Sequence, residues 1–284
     1  MASTALAKKN EATEIATTDG AEYAIMETDP TELKEAISAA TGGQQIDAFQ
    51  LDMVKVPSGG VTLWTIPDVI EGEINSKTLD GIVVLQRNIR SWWRIGFDER
   101  AAAGVGAQAP DCASQDGVWG IGHPDGHPDL VEDTPGAPVF AYEAFDENGN
   151  PVNGPRKVTR YACEACPLAA FGSGKNGRGQ ACRQNKLLYL LTPESALPIV
   201  LKVPPSSIKL VQGFFLRLSG KAIKPWGAVL AFALRKTQGG AGIDYSEIVP
   251  EFRARLTPEA VKRIEATADA LRPALIGSVQ VADL

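Results

Sequence analysis

Residues 163–182, CEACPLAAFGSGKNGRGQAC, hold three of the chain's four cysteines and decide how the rest of the sequence is interpreted. Cys163 and Cys166 form a CxxC pair, and its two-residue gap lets a tight turn direct both sulfur atoms at one ion. Cys182 and the distant Cys112 complete a set of four. Four thiolates are typical of a closed, structural zinc site, which contributes folding energy rather than chemistry. We therefore predict Zn²⁺ bound by Cys112, Cys163, Cys166 and Cys182.

Other interpretations of the cysteines stay open at this point. An iron–sulfur cluster also takes four thiolates, and we rank it below zinc. A redox CxxC usually sits at a strand-to-helix junction, which is missing here. The only two histidines, His123 and His127, could replace a thiolate or form a second site with Asp125 and Asp129, although a run such as GHPDGHPD is more often a solvated loop.

The composition is that of a globular protein. Of the 284 residues, 44% are hydrophobic and 22% are charged, and no run of about eighteen apolar residues could cross a bilayer. The N-terminus, MASTALAKKN, lacks the apolar core of a secretory signal. We therefore expect a cytoplasmic protein whose cysteines remain reduced and available as ligands.

The net charge of -6 conceals a strong charge polarity. Residues 153–236 contain 14 Lys or Arg and two acidic residues, whereas residues 111–150 contain nine Asp or Glu and no Lys or Arg. A basic segment inside an acidic protein indicates a site for a polyanion. The alternative is that the two oppositely charged segments pair within the molecule.

The pattern along the chain predicts a mainly β protein with three helices. Residues 1–28 are small and polar, so we expect a flexible arm. Helices are expected at 28–41, at 205–221 with Ser206 or Ser207 as N-cap and Gly220 as the end, and at 256–273 between Thr257 and Pro273. Strands are expected at 47–56, 61–66, 80–93, 186–192, 197–204 and 226–236, and a strand entering a hairpin at 138–152.

No regular alternation of strands and helices indicates a parallel sheet, so the fold class we expect is α+β. Its centre would be an OB-like antiparallel barrel over residues 29–255, with a zinc-ribbon-like, four-cysteine insertion at about 111–185. Residues 256–284 would form a C-terminal helix and tail.

Cationic and aromatic side chains alternate in the sequence, as they do in proteins that hold single-stranded nucleic acid through phosphates and stacked bases. In QRNIRSWWR, adjacent tryptophans on a strand face opposite sides, so one is expected in the core and the other is a stacking candidate. GSGKNGRGQACRQNK lacks the spacing of a nucleotide-binding phosphate loop. The candidate nucleic-acid-binding residues are Arg87, Arg90, Trp92, Trp93, Arg94, Lys175, Arg178, Arg183, Lys186, Arg217, Lys221 and Lys224, while Phe214 and Phe215 have core spacing.

A metal-dependent nucleic-acid enzyme, or an accessory subunit of one, would need clustered carboxylates. Asp111, Asp116, Asp125 and Asp129 could supply them, but only Glu164 falls near the basic cluster in sequence. We predict no catalytic residues. A zinc-stabilised structural or interaction protein is a further alternative.

The order PDCASQDG, CEACPLAAFGSGKNGRGQACRQNKLLYLL and LPIVLKVPPSSIKLVQGF resembles a phage and prophage family whose members carry PDCxSxDG, CxxCP, FGS and GxGxxC motifs. That resemblance covers roughly residues 80–250 and implies a setting in phage DNA replication or recombination, in the cytoplasm of the bacterial host. A looser similarity is to zinc-containing phage single-stranded DNA-binding proteins, which carry a zinc subdomain in an oligonucleotide-binding barrel. Those use a histidine ligand and an acidic tail, and GSVQVADL has no clear equivalent of that tail.

Together these patterns predict a non-enzymatic, sequence-independent single-stranded DNA-binding protein. RNA is the alternative polymer. Phage replication proteins and further copies of the chain along the strand are the expected partners.

Overall fold

The computed structural model describes residues 12–18, 23–26, 30–42, 51–95, 110–122, 140–145, 151–193, 195–239 and 242–276. These residues divide into a core unit, made of those up to Gln86 and from Leu187 onwards, and an insertion unit, Arg87–Lys186. The α+β prediction is confirmed: the fold is mainly β with three helices, and its large sheet is curled into a half-barrel. None of the helices in the described ranges is long and apolar enough to cross a membrane.

The core unit combines strands from both ends of the chain with three α-helices. Its strands are β1 (Ala12–Ile15), β2 (Tyr23–Met26), β3 (Met53–Lys55), β4 (Trp64–Asp68), β5 (Gly72–Ser76), β12 (Ser195–Val203), β13 (Ala228–Gln238) and β14 (Asp244–Arg255). The helices are α1 (Pro30–Thr41), α2 (Pro205–Gly220) and α3 (Pro258–Ile276). Two long strands, β6 (Thr78–Trp92) and β11 (Arg183–Thr192), contribute residues to both units.

Hydrogen bonding in the core unit runs in the order β3-β12-β11-β6, with β13 beside β6 and β14 beside β13. β3 is parallel to β12, whereas β13 is antiparallel to both β6 and β14. Helix α2 lies on this sheet and buries Phe214 and Phe215, as their spacing predicted. Trp64 is fully buried in the same cluster and donates its indole N–H to the Phe232 carbonyl oxygen at 2.6 Å.

The insertion unit is a second antiparallel arrangement. β7 (Cys112–Ser114), β8 (Trp119–Gly122), β9 (Phe140–Phe145) and β10 (Pro151–Ala162) follow β6 in the order β6-β7-β8-β10-β9. The pairing of β9 with β10 confirms the hairpin expected at 138–152. Two short 3₁₀ turns, Pro167–Ala169 and Lys175–Gly177, follow β10. In the structure this compact unit begins at Arg87.

Part of the segment expected to be a flexible arm, residues 1–28, is described by the structure as two strands. β1 and β2 form an antiparallel pair, and Ile15 and Ile25 are buried. The Ala16 carbonyl oxygen accepts the Thr257 N–H at 3.1 Å, and the Thr18 N–H donates to the Arg255 carbonyl oxygen at 2.8 Å. Tertiary hydrogen bonds and two buried isoleucines thus hold the described residues 12–18 and 23–26.

Two predicted helix ends also need correction. Helix α2 has Pro204 at its N-cap position with no side-chain cap, so neither Ser206 nor Ser207 caps it. Helix α3 begins as predicted, with the Thr257 hydroxyl accepting the Ala260 N–H at 3.3 Å, but it continues past Pro273 to Ile276. Leu271 and Leu275 are buried on either side of that proline, so packing outweighs its cost to the helix.

Strand β14 had no counterpart in the sequence-based assignment, because Pro250 and alternating charged residues weaken its strand signal. Among the described strands it pairs with β13 alone, which leaves it at a sheet edge where proline is tolerated.

Ser207 has a structural role that its position near the start of α2 conceals. It is fully buried, and its hydroxyl oxygen accepts the Ile248 main-chain N–H of β14 at 3.0 Å. We predict that Ser207→Ala lowers the free energy of unfolding by about 1–3 kcal/mol, because a buried amide loses its acceptor. Chemical denaturation measures the change, and the exposed Ser206→Ala, expected within about 0.5 kcal/mol of wild type, is the control. Equal stability of the two variants would contradict this assignment.

Candidate metal centre and cationic loop

Sheet register places Cys112 in the insertion unit. Cys112 begins β7 directly opposite Trp92 on β6, and the next pair is Ala113 with Ser91. The main chain just before β7 is held as well, because the Asp111 carboxylate accepts the Arg94 N–H at 2.7 Å. The first cysteine of the PDCASQDG motif is thus fixed by two strands.

The remaining motif residues form a turn behind Cys112. Asp116 Oδ1 accepts the main-chain N–H groups of Val118 at 2.7 Å and Trp119 at 2.8 Å, and the Ser114 hydroxyl donates to it at 3.1 Å. Partial desolvation would raise the pKa of Asp116, but these hydrogen bonds outweigh it and lower the pKa overall. Gly117 has φ +75°, and a Cβ there would lie 2.9 Å from Asn88 Cβ, so this position requires glycine. The role of the motif residues is therefore to hold the main chain around Cys112 in place.

Cys163 and Cys166 follow directly from the end of β10. The Cys163 N–H donates to the Val118 carbonyl oxygen at 2.8 Å, and the Cys166 N–H donates to the Cys163 carbonyl oxygen at 3.4 Å. Cys182 precedes β11, and its N–H donates to the Leu168 carbonyl oxygen at 2.8 Å. Main-chain hydrogen bonds therefore position three of the four thiols independently of any ion.

All four cysteines line one small cavity within the insertion unit, and none of them is in a disulfide. The cavity has a volume of about 10 Å³, which is roughly that of a single water. Trp92, Cys112 and Cys182 form a buried hydrophobic cluster, with Leu168 packed against it.

Burial dominates the electrostatics of this cavity. It raises the pKa of Cys112 strongly, and the thiols of Cys182, Cys163 and Cys166 raise it further. Burial likewise raises the pKa of Cys182 to about 12, although the positive charge of Arg90 opposes the change. These mutual effects place the sulfur groups within interaction range of each other. Several thiolates are tolerated in such a site only together with a cation.

The guanidinium of Arg90 lies in the wall of the same cavity. Its Nη2 donates to Gln184 Oε1 at 3.0 Å, and the guanidinium interacts with the Cys182 thiol, while its Nε and Nη1 are buried without a well-formed hydrogen bond. A buried guanidinium with two unused donors is costly unless anionic acceptors lie nearby. Thiolates bound to a cation would be such acceptors, and the guanidinium already lowers the pKa of Cys163 and Cys182 against the larger, opposing effect of burial.

Within the described ranges, no group of three or more His, Cys, Asp or Glu side chains is arranged so that it could hold a metal ion as it stands. The donor chemistry, the cavity size and the unpaired Arg90 donors fit one thiophilic ion. His123, His127, Asp125 and Asp129 lie outside the described residues.

Between Cys166 and Cys182, residues 172–179 form a closed loop, which we call the glycine loop. The Gly172 N–H donates to the Gly179 carbonyl oxygen at 2.6 Å, and Gly172 and Gly179 both have positive φ. A Cβ on Gly174 would overlap the Arg178 carbonyl oxygen, so no other residue fits there. Ser173 connects the loop to the segment after Cys166 through hydrogen bonds from its hydroxyl to the carbonyl oxygens of Leu168 at 2.8 Å and Ala170 at 2.7 Å.

The candidate nucleic-acid-binding residues of the insertion unit separate into two groups. Arg94, Lys175, Arg178 and Arg183 are exposed, and Arg87 and Trp93 are half-buried. Trp92 and Lys186, by contrast, are only 9% and 7% exposed. Burial lowers the pKa of Lys186. Neither residue presents its side chain at the surface, and Arg90 faces the thiol cavity, so these three assignments do not fit an open binding surface.

The other three candidates belong to the core unit, at or after the end of α2. Arg217 is exposed and lies over the Phe214 ring, 5.9 Å from its centroid. Lys221 is exposed. Lys224 forms an ion pair with Glu265 at 3.0 Å and lies over the Trp226 ring, so its charge is partly neutralised.

One exposed residue was missed by the sequence reasoning. Phe171, the residue before the glycine loop, is 87% exposed, although the spacing of CPLAAFGSG gives no sign of it. An FG pair followed by several glycines is the signal that could have identified a ring held outside the core.

Comparison of the chain with protein-family models, with curated proteins and with solved structures gives no match.

We predict that the purified protein contains one zinc per chain by elemental analysis, and that Cys112→Ser loses it, because a three-thiolate site leaves the ion partly open. Val118→Ser changes an exposed residue two positions after Asp116 and should retain the ion. Zinc retained by Cys112→Ser, or iron found in place of zinc, would contradict the assignment.

We also predict that Arg90→Met raises the rate and extent of zinc loss to a chelator, with affinity reduced about 10–100-fold, as expected for a residue that supports the ligands from outside. Arg90→Lys should recover part of that affinity because it restores the positive charge. Arg183→Met removes an exposed arginine of the same unit and serves as the control. If Arg90→Met and Arg183→Met release zinc alike, Arg90 has no role at the metal.

Proposed function

We propose that this protein is a non-enzymatic, sequence-independent single-stranded DNA-binding protein. A structural zinc ion held by Cys112, Cys163, Cys166 and Cys182 would stabilise the insertion unit and keep the glycine loop in shape for binding. The motif order shared with the phage family supports a role in phage DNA replication or recombination.

The observation that carries the proposal is the connection between the thiol cavity and the cationic loop. Cys182 is hydrogen-bonded to Leu168, and Leu168 in turn accepts a hydrogen bond from Ser173 of the glycine loop. The glycine loop is therefore part of the same short peptide that carries Cys166 and Cys182. Lys175 and Arg178 are exposed on it, and Arg183 is exposed immediately after Cys182.

This arrangement suits a flexible polyanion. Glycines leave the main chain of the loop accessible, and the lysine and arginines can neutralise phosphates that approach it. Residues 153–236, which include the loop, contain 14 Lys or Arg against two acidic residues. None of the three cations lies on a helix that could enter a duplex groove, so weak sequence preference is expected.

The two described carboxylates of the acidic motif are engaged in holding the main chain, Asp111 at Arg94 and Asp116 at Val118 and Trp119. This favours a binding role over a metal-dependent nuclease that would need those carboxylates for catalysis. The proposal extends to the fold: the curled sheet would be an OB-like barrel, with RNA as an alternative ligand and other chains or replication proteins as partners.

We predict that the triple variant Lys175→Gln, Arg178→Gln, Arg183→Gln binds a single-stranded oligonucleotide roughly tenfold or more weakly at low salt. The slope of log affinity against log salt should fall by roughly two, since about 0.7 counterion is released per neutralised phosphate of a single strand. Fluorescence anisotropy over a salt series measures both quantities.

The control removes the same charge from the core unit. Lys262→Gln, Arg263→Gln, Arg272→Gln alters three exposed residues of α3 and should leave affinity and slope close to wild type. Salt-independent binding by the wild type, equal losses in the two triple variants, or cleavage of the oligonucleotide with Mg²⁺ or Mn²⁺ would contradict the proposal.

A further inference from the structure

Phe171 is the most exposed aromatic side chain described in the insertion unit, at 87%. Exposing a phenylalanine to this extent costs the transfer free energy that burial would recover, so the exposed ring calls for an explanation. Its chain neighbours Leu168 and Ala169 do turn inward, where Leu168 packs against the cluster of Trp92 and Cys182 and Ala169 lines the thiol cavity.

The main chain on both sides of Phe171 is held firmly. Ala170, the preceding residue, donates its N–H to the Pro167 carbonyl oxygen at 3.2 Å. Gly172, the following residue, has φ +95° and is bonded to Gly179. The ring is therefore directed outward by a fixed backbone and does not lie on a free chain end.

The Gly172–Gly179 hydrogen bond also determines which residues adjoin the ring. Because it joins the two ends of the glycine loop, the residues that precede each glycine, Phe171 and Arg178, lie beside the same closure point. Both are exposed, and Lys175 is exposed on the loop between them. An uncovered aromatic face beside two cations is the combination that a nucleobase with its flanking phosphates requires.

We infer that Phe171 is a base-stacking residue, on which an unpaired nucleobase of the bound strand lies while Arg178 and Lys175 contact the adjoining phosphates. This inference rests on the proposed function and gives it a specific aromatic contact. It assigns stacking to a residue outside the tryptophan pair, of which Trp92 is buried.

The test compares two oligomers of equal length and charge, oligo-dT and an abasic deoxyribose-phosphate strand. Wild type should prefer oligo-dT, and Phe171→Ala should bind oligo-dT roughly 5- to 150-fold more weakly, as expected for the loss of one stacked base. Binding of Phe171→Ala to the abasic strand should equal that of wild type. Phe171→Trp should restore the preference, and Phe171→Leu, which is apolar but lacks a π face, should not.

Val118→Ala alters another exposed apolar residue of the insertion unit and is the matched control, expected to behave as wild type on both strands. Zinc content and thermal unfolding of Phe171→Ala should be unchanged, because the ring packs against little.

Three outcomes overturn the inference. If Phe171→Ala keeps the oligo-dT preference, or binds both strands more weakly by the same factor, the ring does not stack on a base. The proposed function is then still tested by the charge variants. If Phe171→Ala binds DNA normally but changes the sedimentation of the protein, the ring is a contact between chains. If wild type binds neither strand, the proposed function fails together with the inference.

Discussion

Bringing four thiols to the wall of one small cavity is the constraint on which the insertion unit depends. Cys112 comes from a strand paired with β6, and the other three come from the peptide that links β10 to β11. Gly120 on β8 lies between them: a Cβ there would be 2.9 Å from the Cys112 sulfur and 3.7 Å from that of Cys163. The register of β7 against β6, the tight turn at Cys163 and Cys166 and the absence of a side chain at Gly120 are therefore all required for the four sulfur atoms to line one cavity.

The side chain of Arg90 lines the thiol cavity. Four thiolates around the proposed zinc ion would carry excess negative charge, which this guanidinium would balance. The exposed cations Lys175, Arg178 and Arg183 lie on the glycine loop and directly after Cys182. The residue types alone do not say which arginine lines the cavity and which is exposed.

Much of this could be predicted from the sequence, because its strongest signals are local. Cysteine spacing pointed to the four residues that share the cavity, and hydrophobic periodicity with glycine and proline breaks located α1, α2, α3 and most long strands. The failures share a cause. The hydrogen bonds of Ala16 and Thr18, the role of Ser207, the continuation of α3 past Pro273 and the pairing of β14 all depend on contacts with distant parts of the chain.

Side-chain exposure was the other quantity that the sequence could not supply. Trp92 and Trp93 are adjacent and alike, and only the register of β6 against β7 decides that Trp92 faces the thiols. Lys186 reads as a surface cation but is buried in β11. Phe171 received no assignment from the sequence, and the structure leaves it 87% exposed.

In the glycine loop, one set of residues determines the backbone conformation and another carries the charge. Gly172, Gly177 and Gly179 adopt backbone angles that other residues resist, and Gly174 leaves no room for a side chain, so these four positions hold the fold of the loop. The cationic positions of the loop, Lys175 and Arg178, are exposed and carry no such restriction. Mutation can therefore adjust how strongly the loop attracts an anion without altering its outline, and a lineage could drift toward tighter or looser attachment while keeping the same scaffold.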